Sequence, residues 1–506
     1  MLKKLFEKLY SNVPNVPEKS FPEDIKRKEI HLDGDLEQTL KTFKQIYSYP
    51  DNHDFIIRNI HISGMNKKAS LLYIRTITDS SLIDQHILRP LLINNSSDKI
   101  EDIVSIQSVD TKKIIKDILP EINKGSAALI IEDESQAYLF GVTKFEGRSV
   151  EKSENETTVK GPKEAFTELS STNISLIRKK IKNENLVVES LTISERSKND
   201  LFILYEKDLA NEKLVTNIKK KVNALDLDAI QNLSLLEQYI EERKISIFPT
   251  VLNTERPDRA ASFIEDGYIV LIMDNSPASL VLPATFWSFY HSSEDHYLRF
   301  PYGNFTRLLR VVALFITLFT SAIYVGVVTY HAEMIPPDLL LAIAATRERV
   351  PFPAAIEVIL MELAFELIRE AGLRVPNPIG PTIGIVGALI LGQAAVQANI
   401  VSPIVVIVVA LGGLSSFAVG DISMNFAIRL TRFLFLLAAT LFGIYGMAAL
   451  FTLGLFYLIS IKSFGVPYLA PLTPRYASSG DTIFRRVLQH EVLRPGYVKP
   501  KDIKKK

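Results

Sequence analysis

Between Val375 and Gly420 lie 46 consecutive residues without one charged side chain, following some 300 residues of ordinary charged sequence. Placing a charge in hydrocarbon costs about 2.5–3.5 kcal/mol on insertion scales, so a silent run of that length reads as membrane sequence. At about 20 residues per spanning helix, it holds two spans.

Residues 311–330 and 433–461 are likewise uncharged, each long enough to cross a bilayer, which gives about four spans. Val311–Ile461 carries 14 charged residues in 151, whereas Met1–Arg310 carries 88 in 310. That shift marks the main boundary. After the last span, Lys462–Lys506 holds ten Lys or Arg against three Asp or Glu, a cytoplasmic signature by the positive-inside rule. No apolar signal segment opens the chain, so both termini are expected in the cytoplasm, which requires an even span count. Four spans would place Arg429 and Arg432 in an external loop.

The soluble part reads as mixed α/β. The expected organisation is an N-terminal tail (1–29), a first cytoplasmic subdomain (30–148), a second (149–300), an all-α transmembrane bundle (301–461) and a basic cytoplasmic tail (462–506). In the first, strand-like FIIRNIHI and ASLLYIRTI precede helical TKKIIKDILPEI, and a hairpin turns about Glu132–Gln136. Residues 149–160 are polar and linker-like. In the second, helices are expected near 163–183 and 210–243, with strands near 186–193, 200–205 and 268–282. No repeat shows at solenoid periods. A net charge of +1 gives no reason to expect nucleic acid, and zero cysteines exclude disulfides and thiolate metal sites.

Several long segments then point to one family. The stretches GPKEAFTEL (161–169), TNISLIRKKI (172–181), ERPDRAASFIEDGYIVLIMDNSP (255–277), PIGPTIGIVGALILGQAAVQANIVSP (378–403) and SFGVPYLAPLTP (463–474) occur in the order found in spore germinant receptor A subunits. The chain resembles the GerA family. That resemblance implies a multi-pass subunit of the spore inner membrane, self-associating as a pentamer into a cation channel. It also implies two partners, a transporter-like B subunit that senses nutrient and a lipoprotein C subunit. The SpoVAF-like paralogues share the architecture and are the nearest alternative; a secondary transporter and a nonconducting signalling scaffold are the others.

The least hydrophobic part of the membrane half is 331–376. On a helix following Pro353, Glu362, Glu366 and Glu370 stand four apart and drift only about 40° per step, so they share a face. Arg369 lies on that face, and Glu357 points about 140° away from Glu362. If such a helix lines an oligomeric pore, each glutamate becomes a ring that selects cations, making Glu357, Glu362, Glu366 and Glu370 candidate ion-path residues. The alternative is an amphipathic or re-entrant segment near 338–370 whose glutamates are solvated or paired with Arg347, Arg349 and Arg369. Gly384, Gly387, Gln393 and Gln397 either pack helices closely and bond across them or line a polar path.

In ERPDR, Glu255, Arg256, Asp258 and Arg259 alternate charge and form either an inter-domain latch or a solvated loop. Trp287, Tyr290, Tyr297 and Tyr302 suit headgroup depth as well as a core. The chain lacks G-x-x-x-x-G-K-[ST], G-x-G-x-x-G, H-E-x-x-H and G-x-S-x-G, so no catalytic, cofactor-binding or metal site is assigned. His291, Glu294, Asp295 and His296 are the one local cluster suited to acid–base or metal chemistry, or else a solvated loop.

Overall fold

The computed structural model describes residues 28–94, 99–145, 156–374, 379–478 and 480–505, with the side chains of 373–374 and 379–386 outside the description. Most of the expected 1–29 tail and of the 149–160 linker lies outside it too.

The first unit opens with α1 (Leu36–Ile46), whose N-terminus is capped by the Asp35 carboxylate accepting from Gln38 N. Strands β1 (Phe55–Ile62), β2 (Lys67–Ile74), β3 (Val109–Lys112), β4 (Ser126–Ile131) and β5 (Ala137–Gly141) form an antiparallel sheet in the order β1-β2-β4-β5-β3. Ile130 pairs with Ala137, so the β4–β5 hairpin turns through 132–136 as its sequence indicates. Helices α1 and α2 (Ile115–Lys124) cover one sheet face through Phe43, Ile118 and Ile122, which meet Leu72 and Ile130. A separate cluster including Ile87, Leu91, Leu129 and Phe140 fills the other. Helix α2 stops at Gly125, where φ is 101° and an added Cβ would lie 2.7 Å from Ile77 O.

The second unit repeats this topology. Helix α3 (Ser170–Lys180) precedes β6 (Leu186–Ile193) and β7 (Asn199–Glu206); α4 (Glu212–Asn223) and α5 (Leu233–Ile240) follow. Then come β8 (Leu252–Thr254), α6 (Pro257–Glu265), β9 (Ile269–Met273) and β10 (Ser279–Leu282), in the antiparallel order β6-β7-β9-β10-β8. Strand for strand, this is the order of the first sheet, with α3 and α6 in the places of α1 and α2. The expected helix at 210–243 is two helices, and the expected strand at 268–282 is two strands with a turn between them.

Six helices follow: α7 (Phe300–Tyr330), α8 (Pro337–Arg347), α9 (Ala354–Arg374), α10 (Ile379–Gln397), α11 (Pro403–Ser416) and α12 (Ile422–Ser460). Helices α7 and α12 are long and apolar enough to cross a membrane by length and composition. The segment near 338–370, expected to be amphipathic or re-entrant, comprises α8 and most of α9. Val325, Val358, Val405, Val409 and Leu436 pack α7, α9, α11 and α12 together.

Within α12 the chain reverses at Gly443, whose φ of 61° and ψ of −144° are not helical. An added Cβ there would lie 3.0 Å from both Tyr330 and His331. Phe319 touches both Phe435 and Phe451, which lie on either side of Gly443, so the arms before and after it run back along the same part of α7. Tyr330 Oη, at the end of α7, donates to the carbonyls of Thr440 (2.8 Å) and Leu441 (3.1 Å) beside the break. The uncharged run 433–461, expected as one span, therefore contains a bend and parts of two antiparallel arms.

Residues 462–505 are not a detached tail. Ile461, Phe464, Val466, Tyr468, Tyr497 and Val498 belong to the core of the second unit, together with Met424 and Ile428 at the start of α12. Ser463 Oγ donates to Thr250 O at 2.6 Å, and the hydroxyls of Tyr268 and Tyr497 are 2.7 Å apart. Basic residues of this segment find acids, Lys501 with Glu212 and Lys505 with Asp266.

Candidate functional site

Helix α9 carries its charge into the bundle. Glu362 has no exposed surface, and its carboxylate accepts from Ser321 Oγ of α7 at 2.6 Å and pairs with Arg432 of α12 at 2.6 Å. One turn on, Glu366 pairs with Arg429 and lies 3.6 Å from Arg432. The helical spacing that puts Glu362 and Glu366 on one face thus meets arginines three apart on another helix. Arg369 donates to Gly413 O at 3.2 Å and lies over the Phe417 ring, 4.8 Å from its centroid. Glu370 is exposed.

Glu357 faces elsewhere, as its angle requires. Fully buried, it accepts from Ser402 N at 2.9 Å and pairs with Arg347 at 3.1 Å. Two carboxylate–guanidinium groups therefore stand at different heights in the bundle. Charges in apolar surroundings need such partners, since removing one leaves the other uncompensated. Gln393 and Gln397 are exposed on α10, and a Cβ added at Gly387 would lie 3.8 Å from Ile368 of α9. Gly384 lies outside the residues whose surroundings are described.

Arg429 and Arg432, expected in a loop, are helical, and Arg432 is buried. Sequence reading missed them as partners of the glutamates. Two arginines three residues apart inside apolar sequence, opposite two acids four apart, were the available signal.

Beneath the bundle, Arg256, Asp258 and Arg259 of ERPDR are buried and Glu255 is half-buried. Arg256 donates to Thr158 Oγ1 (2.8 Å), Pro162 O (3.0 Å) and Asp258 (2.8 Å), while Asp258 accepts from Tyr297 Oη at 2.5 Å. Arg259 donates to Glu156 (2.6 Å), Ser288 O (2.7 Å) and His291 O (3.0 Å). These bonds hold α6 to the segment 286–297 that leads into α7. Glu255 contributes its carbonyl, which accepts from Phe166 N at 2.8 Å. Trp287 and Tyr290 are buried there, whereas Tyr302 is exposed.

The same lead-in anchors the base of α7. Asp295, almost fully buried, accepts from Arg307 Nε (3.1 Å) and from both terminal nitrogens of Arg310 (3.0 and 3.1 Å). Burial works against ionisation of Asp295, but Arg310 and Arg307 outweigh it and hold the carboxyl below its ordinary range. Arg307 also pairs with Asp481 from the C-terminal segment. Burial pushes the neighbouring His291 down to about 4, and its Nε2 is 2.6 Å from Thr482 O.

Duplicated antiparallel α+β units, the second fused to a helical bundle with buried ion pairs, define the class of protein. The family model for the Bacillus/Clostridium GerA spore germination protein matches residues 41–497, and the chain belongs to that family. It is 38% identical over 459 residues to spore germination protein KA of Bacillus subtilis, covering 89% of this chain and 84% of that protein. It is 36% identical over 422 residues to the uncharacterized membrane protein YfkQ of Bacillus subtilis, covering 82% of each. Among solved structures, the N-terminal domain of the A subunit of the Bacillus megaterium spore germinant receptor GerK3 matches at 27% identity with a TM-score of 0.40. That match covers 51% of this chain and 98% of that one.

Proposed function

We propose that this chain is the membrane A subunit of a nutrient-responsive germinant receptor, and that its bundle, assembled as a homo-oligomer, carries cations when partner subunits signal. The observation that carries the reading is the acid–arginine network of Glu362, Glu366, Arg429 and Arg432 in otherwise apolar helices. Ionisable groups at such positions are expensive and commonly belong to ion pathways. Membership of the GerA family and the resemblance to A subunits support the receptor role. A transporter-like B subunit and a lipoprotein C subunit would then be the partners.

The fold also supports a topology. Residues just before α7 and just after α12 share the core of the second unit, which requires an even number of crossings between them. With a basic C-terminal segment, that side is the cytoplasm of a multi-pass spore inner-membrane protein. In the paired state Glu362 and Glu366 are neutralised and offer cations no free carboxylate. Separation of the α9 and α12 partners would expose them as rings around the oligomer axis.

The test is electrical. In planar bilayers holding the purified oligomer, Glu366→Gln is expected to change the cation-to-anion permeability ratio by at least about twofold with assembly intact. An unchanged ratio in a correctly assembled oligomer contradicts the ion-path role. The neutralised pairing also favours a second reading, a nonconducting scaffold braced by these bonds, and absence of any current would select it.

A further inference from the structure

At the foot of the last helix, the second unit carries a loop, residues 241–248, that presents cationic and apolar side chains outward. Ile245 is 96% exposed, and Arg243 and Lys244 beside it are exposed as well. The two acids of the loop turn toward the protein. Glu241 accepts from Thr250 N (3.1 Å) and Oγ1 (3.0 Å), and Glu242 accepts from Gly465 N (3.2 Å) while pairing with Lys221 at 3.7 Å. Glu242 stays partly exposed but paired, and the side chains projecting beyond it are cationic and apolar, continued by exposed Lys462 just past the helix.

The loop is fixed to the helix end. Arg243 Nη2 donates to Ser460 O, the last residue of α12, at 3.0 Å, and its guanidinium lies 5.7 Å from the Tyr457 ring centroid. Tyr457 Oη donates to Ser246 Oγ at 3.2 Å, and Phe248 meets the same ring at 6.4 Å between centroids. If the bundle lies in the membrane, a loop bonded to the final turn of α12 stands at headgroup depth. An isoleucine between cations suits that depth, its side chain among acyl chains and the charges at lipid phosphates.

We propose that loop 241–248 docks into the anionic surface of the bilayer, with Ile245 as the apolar wedge and Lys244 and Lys462 facing lipid phosphates. The inference rests on the reading that the helical bundle, with both arms of α12, lies in the membrane. Docking fixes the second unit against the bilayer and limits the tilts through which it can act on the helices.

The chain has no cysteine, so a single one reports one place. Full-length Ile245→Cys carrying a fluorophore would be reconstituted in vesicles of phosphatidylglycerol and phosphatidylcholine containing spin-labelled lipids. Ile323→Cys, on the exposed side of α7, reports whether the bundle is in the bilayer; Lys116→Cys on the first unit gives the aqueous reference. Docking predicts quenching at Ile245 that is about twofold stronger from shallow than from deep labels. It also predicts that this quenching falls by about half in pure phosphatidylcholine or with Lys244→Glu and Lys462→Glu. Aqueous behaviour at Ile245 with lipid quenching at Ile323 overturns docking and leaves the membrane reading standing. Aqueous behaviour at both overturns both. Quenching at Ile245 indifferent to lipid charge and to the two substitutions overturns the anionic partner.

Discussion

The second α+β unit has two joints, and they are built differently. Toward the first unit the joint is polar: Arg178 pairs with Asp54 at 3.0 Å with both side chains buried, and His53 N donates to Val188 O at 2.8 Å. The first unit keeps its own apolar clusters. Toward the bundle and the C-terminal segment, one continuous core runs from Phe166 through β9 to Met424, Ile461, Tyr468 and Tyr497. A polar joint between separate cores resembles a transient interface and permits relative movement, while a shared core does not. The first unit is therefore the part able to move, and the second moves with the helices.

The strongest way to break this contrast is at the fused joint. Arg307→Ala leaves Asp295 and Asp481 without their shared partner and is expected to destabilise the second unit by about 3–5 kcal/mol. Denaturant unfolding of the full chain in detergent, read by protease cleavage within 462–505, measures it. Smaller is Arg178→Met at the polar joint, about 2–3 kcal/mol, because Asp54 still accepts from Thr76 N (3.0 Å) and Oγ1 (2.9 Å). Its signature is freer movement of the first unit, seen by distance measurement between spin labels, with both cores intact.

The smallest effect depends on pH. Burial, with Asp208 and Glu265 adding, pushes the Glu206 carboxyl up to about 7. The folded state then holds this proton more tightly than the unfolded chain, so stability present below pH 4.5 is lost as pH rises through 7. Glu206→Gln should remove that loss, stabilising the second unit at pH 8 by at most about 3 kcal/mol and hardly at pH 4. Thermal melts at the two pH values check it.

Much of this architecture is legible in residues. Strand β6 matches the reading of 186–193 because an apolar run bounded by polar residues has one plausible form. The four-residue spacing on α9 placed Glu362 and Glu366 together because helical periodicity is local. Their partners were not legible, since pairing with Arg429 and Arg432 depends on how α9 and α12 pack. The repeated sheet order escaped notice for a similar reason: it is set by long-range pairing rather than by similar residues. The C-terminal segment misled more directly. Its lysines look solvated, and buried Tyr468, Tyr497 and Val498 are scattered among prolines without helical or strand period. Gly443 looked like one more glycine in an apolar run, though only its φ makes the turn.

Hydrogen exchange on the full-length protein in lipid tests the central contrast most directly. The account predicts that amides of β6–β10, of 461–470 and of the base of α7 open together, within about 1 kcal/mol of one another, while β1–β5 open at a different free energy. Rapid independent exchange of 461–470, or a single opening shared by both α+β units, would contradict it.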